Sequence, residues 1–228
     1  MAPCRRFGEA LGMEILLGGV VGSTAYGLAH AGSDVDRMGM FAVPTEQLFG
    51  LHRPKESLVT TSPDRTLHEA GKALRLMLSS NPTASELLWL ESYETAAPLG
   101  QELIGLRRSL HSARAVRNAY LGYADQQFRK LQGHRPEQRA KGAKHARHLV
   151  RLLRQAEQLH TTGELTLRLP DPDAVRRLGE AIAEQPERAR PLLARAEAAL
   201  DRPGVLPEAP DTAAADAWLR RVRRAFYR

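Results

Sequence analysis

The stretch from Ile15 to Asp36 constrains this chain more than any other. Ile15-Leu16-Leu17-Gly18-Gly19-Val20-Val21 is a short apolar run ending in β-branched residues and bounded by Gly22-Ser23, the signature of a buried strand. Ser23 to Ala29 suits a short helix, closed by the turn His30-Ala31-Gly32-Ser33. Asp34 to Val43 then alternates as a second strand until Pro44 ends it. A strand, a glycine–serine bend, a short helix and a returning strand form a tight unit. In such a unit the bend and the start of the second strand lie close together.

The remainder divides in two. Ser57-Leu58-Val59-Thr60-Thr61 is a third strand candidate, and from Leu67 the sequence reads as helical, with Leu67, Ala70, Ala73, Leu74, Met77 and Leu78 on one apolar face. Asn81-Pro82 reads as an N-cap and first helical residue, leading into Glu86-Leu87-Leu88-Trp89. Helical stretches are expected over about 98–110, 112–131, 138–160, 173–200 and 211–227, the last set off by Pro203-Gly204 and the Pro207–Pro210 segment. The expected class is α/β (α+β): a small mixed sheet within residues 1–95, then an all-helical unit over 96–228.

Three features of the first stretch bear on chemistry. Gly22-Ser23 offers backbone N–H groups and a hydroxyl at a helix start, a site suited to phosphate. Asp34 and Asp36, two apart on an expected strand, project from one face. Carboxylates so close repel unless a cation sits between them, and magnesium, which takes one or two carboxylates plus substrate phosphates, fits best. The short connection brings both features together, the arrangement of metal-assisted phosphoryl or nucleotidyl transfer. Either feature alone is commonplace: Gly-Ser is usually a turn and Asp-x-Asp a solvated strand edge. The inference rests on their order and spacing.

Gly22-Ser23-Thr24-Ala25-Tyr26-Gly27-Leu28 through Ser33-Asp34-Val35-Asp36 to Gly39 resembles the DNA polymerase β-like nucleotidyltransferase superfamily. Within it, the run is similar to a branch of bacterial and phage proteins that includes RNA-repair-associated members. The likeness returns at Asn81-Pro82, at Lys144, His148 and Arg151-Leu152-Leu153, and at Thr162-Gly163-Glu164-Leu165. It implies a two-metal site in which Asp34 and Asp36 hold the nucleotide-bound ion and a third carboxylate shares the second. It places that third acid at Asp64, with Glu69 as the competitor. It also implies Mg2+ or Mn2+, an NTP substrate with ATP expected, and Gly22 and Ser23 at a terminal phosphate.

On a helix, Lys144, His148, Arg151 and Gln155 recur at i, i+4, i+7 and i+11 as one polar stripe, opposite Leu149, Leu152, Leu153 and Ala156. The stripe is either a solvated face or, with the resemblance, a row that contacts triphosphate or nucleic acid. Tyr26, Trp89 and Trp218 are expected to pack in the interior.

The net charge of +7 is uneven: residues 1–110 carry 10 Lys and Arg against 12 Asp and Glu, and residues 111–228 carry 23 against 14. An acidic half facing a basic half fits a metal site beside a phosphate surface. Composition excludes wholesale disorder, and the single cysteine, Cys4, excludes a disulfide framework and a cysteine-based zinc site. The apolar run to Val21 falls far short of the roughly 20 residues of a membrane span. A cytoplasmic enzyme moving NMP from an NTP to an acceptor hydroxyl is therefore expected, the acceptor an RNA end, a protein or a small molecule. A non-catalytic nucleotide- or RNA-binding module is the competing expectation.

Overall fold

The structure is a computed structural model that describes residues 13–133 and 139–227; Cys4 lies outside them. Strands β1 (Glu14–Val20), β2 (Arg37–Ala42), β3 (Ser57–Thr61), β4 (Asp64–Glu69) and β5 (Thr95–Ala96) form one sheet in the order β3-β4-β2-β1-β5. β1 runs antiparallel to β2 and β5, β3 antiparallel to β4, and β2 parallel to β4. Helix α1 (Gly22–Tyr26) links β1 to β2. Helices α2 (Ala70–Leu78), α3 (Pro82–Glu86) and α4 (Pro98–Gly105) follow β4 and flank β5. Helices α5 (Ala113–Gln132), α6 (Arg139–Thr162), α7 (Pro172–Glu184), α8 (Arg190–Leu200) and α9 (Thr212–Ala225) complete the chain. The mixed sheet with helices concentrated in the C-terminal half is the expected class.

Among the boundaries that differ from those expected, three bear on the site and on the helix packing. β2 begins at Arg37, so Asp34 and Asp36 lie in the segment entering the strand rather than on it. The ladder starts where Val20, the last residue of β1, finds Arg37 opposite. Leu67 belongs to β4, not to a helix: Arg65, Leu67 and Glu69 are buried in alternation, and the Glu69 carboxylate then caps α2 by accepting from the Gly71 N–H at 2.8 Å. The long helix expected over 173–200 is broken at Gln185, because Pro186 cannot continue the hydrogen-bond ladder; a 3₁₀ turn over Pro186–Ala189 separates α7 from α8. Four other helix starts follow side-chain caps. Asn81, Ser112, Asp171 and Asp211 each accept from the backbone N–H three residues on.

One large apolar cluster runs from the inward face of the sheet into the helices, and a smaller one of Ile15, Phe41, Val43 and Leu67 covers the opposite face. α6 is central, packing on α5, α7 and α8. Tyr26, Trp89 and Trp218 are interior, the last donating its indole N–H to the Leu99 carbonyl at 2.8 Å. α9 returns to the sheet half, packing on α2 and α4. The Arg223 carbonyl accepts from Thr45 Oγ1 at 2.7 Å and the Phe226 carbonyl from the Thr45 N–H at 2.8 Å.

Candidate active site

The parallel pairing of β2 with β4 decides which acids meet. Arg37 stands opposite Arg65, so the residues just before them, Asp36 and Asp64, sit side by side where the two strands begin. Their carboxyl groups lie close enough to raise the proton affinity of Asp36. The Val21 N–H donates to the Asp36 carbonyl at 3.0 Å, which ties this corner to the end of β1. Gly22 has φ +69°, and a Cβ there would lie 2.2 Å from Asp36 Oδ2. Glycine is required at that position twice over: for the backbone conformation, and because the carboxylate lies against it. Asp36 thus faces the glycine–serine bend. Burial pushes its carboxyl above the usual range and the charges of Asp64 and Asp34 push the same way, while Lys144 opposes them.

These acids line a cleft of about 490 Å³ together with Gly22 and Ser23. α1 has only five residues, so the anion-binding capacity of this corner lies in its local N–H groups and the Ser23 hydroxyl rather than in a long helix dipole. The far end of α1 is clasped by the helical half. The Leu169 N–H donates to the Tyr26 carbonyl at 3.2 Å, and Arg176 of α7 donates to the Gly27 carbonyl at 3.0 Å.

The opposite wall of the cleft is α6, which presents Lys144, Arg147 and His148. Lys144 is exposed and faces Asp36. His148 is half-buried and its pKa is lowered to about 3, first by burial and then by Arg151, His145, Lys130 and Lys144, so at neutral pH it is an uncharged imidazole. Arg147 was not singled out from the sequence. Its spacing of three residues from Lys144 and four from Arg151 places it on the flank of the same stripe.

The rest of that stripe turns inward. Arg151 is 2% exposed and Gln155 3%. Arg151 forms an ion pair with Glu86, donates to Gln155 Oε1 at 2.6 Å and to His148 Nε2 at 3.3 Å, and lies over the Tyr26 ring, 4.3 Å from its centroid. The Tyr26 hydroxyl donates to Glu86 Oε2 at 2.5 Å, and burial pushes that hydroxyl far above its ordinary pKa, so it stays a donor. Arg151 and Glu86 therefore form the floor of the cleft, a buried pair that fixes Tyr26 and with it α1. A helix surrounded by α5, α7 and α8 has no wholly solvated face, which is why a stripe of four polar residues divides into two rim residues and two interior ones.

Of the two candidates for a third acid, Asp64 is in the cleft and Glu69 is not. Glu69 is buried and committed to the α2 cap and to Arg223 of α9 at 2.6 Å. His68 pairs with Ser57 at 2.9 Å, and His30 is exposed at the cleft mouth, where its Nδ1 accepts from the Gly32 N–H at 3.2 Å. Asp34, Asp36 and Asp64 are an all-oxygen donor set of the kind hard divalent cations take, and such a cation would offset both the burial and the neighbouring acids that raise the Asp36 pKa. Among the described residues no three His, Cys, Asp or Glu side chains converge on one point as a finished metal cage. The three aspartates line one cleft, and an ion held there would complete its shell with phosphate oxygens.

No helix among the described residues is long and apolar enough to cross a membrane. No curated protein matches the chain. Residues 3–218 match the family described as RNA repair pathway DNA polymerase beta family (RlaP). That likeness spans the helical half as well as the sheet, and it supports a nucleotidyltransferase type of function in general terms. With nearly its whole length matched, the chain belongs to the RNA repair pathway DNA polymerase beta family.

Proposed function

We propose that this protein is a metal-dependent nucleotidyltransferase that moves NMP from an NTP, ATP in the first instance, to an acceptor hydroxyl on RNA. The observation that carries the proposal is one cleft with Asp34, Asp36 and Asp64 beside Gly22-Ser23 on one wall and Lys144 and Arg147 on the other. Carboxylates to hold cations, facing cations to hold phosphates, are what transfer of a triphosphate's α-phosphoryl group requires.

In this reaction the acceptor oxygen bonds to the α-phosphorus, the bond to the bridging oxygen breaks, pyrophosphate leaves and the hydroxyl proton passes to solvent. Asp34, Asp36 and Asp64 would hold magnesium or manganese, which when bound supplies charge neutralisation and Lewis acidity. Gly22 and Ser23 would receive a terminal phosphate, Lys144 would offset its charge, and neutral His148 would offer a hydrogen bond rather than a charge. In this assignment residues 1–95 supply the carboxylates, residues 96–228 supply the cationic wall, and the floor is shared between Glu86 of the first and Arg151 of the second. The basic second half and the family's RNA-repair character favour RNA as acceptor, and a cytoplasmic setting goes with that substrate.

The test is incubation of the protein with magnesium, α-labelled ATP and RNA ending in a free 3′ hydroxyl. Label should reach the RNA, and Asp34→Asn, Asp36→Asn and Asp64→Asn should each abolish transfer. Asp36→Asn should also raise the Tm of the metal-free protein, because it removes a carboxylate whose charged form the fold disfavours. Label on a protein or a small molecule would reassign the acceptor. No transfer with either magnesium or manganese, while nucleotide still binds, would make the chain a binding module.

A further inference from the structure

We propose that Arg147 anchors the polyphosphate of the substrate, a role that rests on the nucleotidyltransferase reading. Three arginines line the cleft, and two are already committed. Arg37 donates to Glu94 at 2.9 and 3.2 Å, and Arg151 is spent on Glu86 and Gln155. Arg147 forms no hydrogen bond or ion pair with any described residue, although it is half-buried. The charges that reach it are Glu180 and Arg176 of α7, opposite in sign; Arg176 is itself held by Asp173 at 2.5 Å and by the Gly27 carbonyl. A half-buried guanidinium with no carboxylate partner is partly stripped of water while its donors stay open to the cleft, so an anion that enters gains a charge-assisted contact with little competition from the protein. Its planar fork matches phosphate oxygens, which a lysine cannot do.

The position of Arg147 is built into the helix packing. Gly179 of α7 faces its stem: a Cβ there would lie 2.5 Å from Arg147 Cγ and 3.3 Å from the Ala143 carbonyl oxygen. The absence of a side chain lets α7 approach α6, and the Arg147 stem lies across the gap. Lys144 stands one turn earlier, facing Asp36, so the two cations mark a line leading away from the carboxylates. Two cations roughly 4.5 Å apart along the helix axis suit a polyphosphate better than a single phosphate.

The experiment is calorimetric titration of the full chain with inorganic tripolyphosphate, with a non-hydrolysable ATP analogue plus magnesium, and with adenosine. Arg147→Met should weaken tripolyphosphate and the analogue at least about tenfold, the equivalent of about 1.4 kcal/mol. Adenosine affinity should stay the same, and Tm should hold or rise because an uncompensated charge is gone. Arg147→Lys, with the charge but not the fork, should lose less and decides the matter if the methionine variant does not fold. Wild-type affinity for tripolyphosphate in Arg147→Met, or a Tm several degrees lower with affinity intact, would make Arg147 a structural strut. If the unaltered protein binds neither the analogue nor tripolyphosphate, the nucleotidyltransferase reading fails and the anchor with it. If it transfers NMP and Arg147→Met does so with unchanged KM, only the anchor fails.

Discussion

Replacing Arg151 by Met separates a substrate-binding arginine from a structural one. The side chain of Arg151 is 3% exposed and that of its partner Glu86 1%, and Tyr26 lies under the guanidinium at 4.3 Å. Methionine keeps most of the stem volume but leaves the Glu86 carboxylate buried with the Tyr26 hydroxyl as its remaining donor. Removing one member of a buried ion pair costs about 3–5 kcal/mol, because the orphaned charge has lost its water and its partner. At about 2–4 °C per kcal/mol for a chain of this size, Tm should fall by about 6–20 °C. The double variant Glu86→Gln/Arg151→Met should recover much of that loss, since two neutral groups of similar volume leave no buried charge. Urea unfolding of wild type, both single variants and the double variant completes the cycle and yields the coupling energy. Should Arg151→Met unfold within about 1 kcal/mol of wild type while nucleotide affinity collapses, the floor assignment is wrong and Arg151 contacts substrate directly.

Two further outcomes follow from the packing. His111 is fully buried, with Nδ1 3.2 Å from Ser80 Oγ, and burial lowers its pKa to about 4; that of His148 is lowered to about 3. Both are neutral in the fold and titrate near 6.5 when unfolded, so the stability they contribute is complete above that pH. It is lost as pH falls towards 4 and 3, by about 3 kcal/mol for His111. His111→Gln should flatten the dependence of the urea midpoint on pH between about 6.5 and 4, and an unchanged slope would refute the assignment. Gly179→Ala should destabilise by about 1–3 kcal/mol, because its Cβ forces α6 and α7 apart, and should weaken tripolyphosphate binding by displacing Arg147. An unaltered Tm would mean that the helices yield freely there.

What the sequence by itself determined is local. The apolar run at Ile15–Val21, the bend at Gly22-Ser23 and the caps at Asn81, Ser112, Asp171 and Asp211 are all written in neighbouring residues. Strand and helix starts depend on interactions a few positions apart, so periodicity and capping chemistry reveal them. The juxtaposition of Gly22-Ser23 with Asp36 is nearly as local, because the connecting segment is too short to go elsewhere. Errors at this level came from competition between patterns: Leu67 fits a helical face as well as a strand, and the sheet ladder beside β2 decided it.

Only the tertiary structure decided which distant residues share the cleft. Asp64 meets Asp36 because β4 pairs with β2 in one register, and slipping it by one residue would turn that face over. Glu69, the competing acid, is excluded from the cleft by Arg223, 154 residues away, which pairs with it. The polar stripe of α6 has a spacing that says which residues share a face, but not where solvent is. Partners from α3, α5 and α7 made Arg151 a buried strut and left Arg147 facing the cleft. Burial and pairing depend on what the rest of the chain brings alongside, and no window of neighbouring residues contains that information.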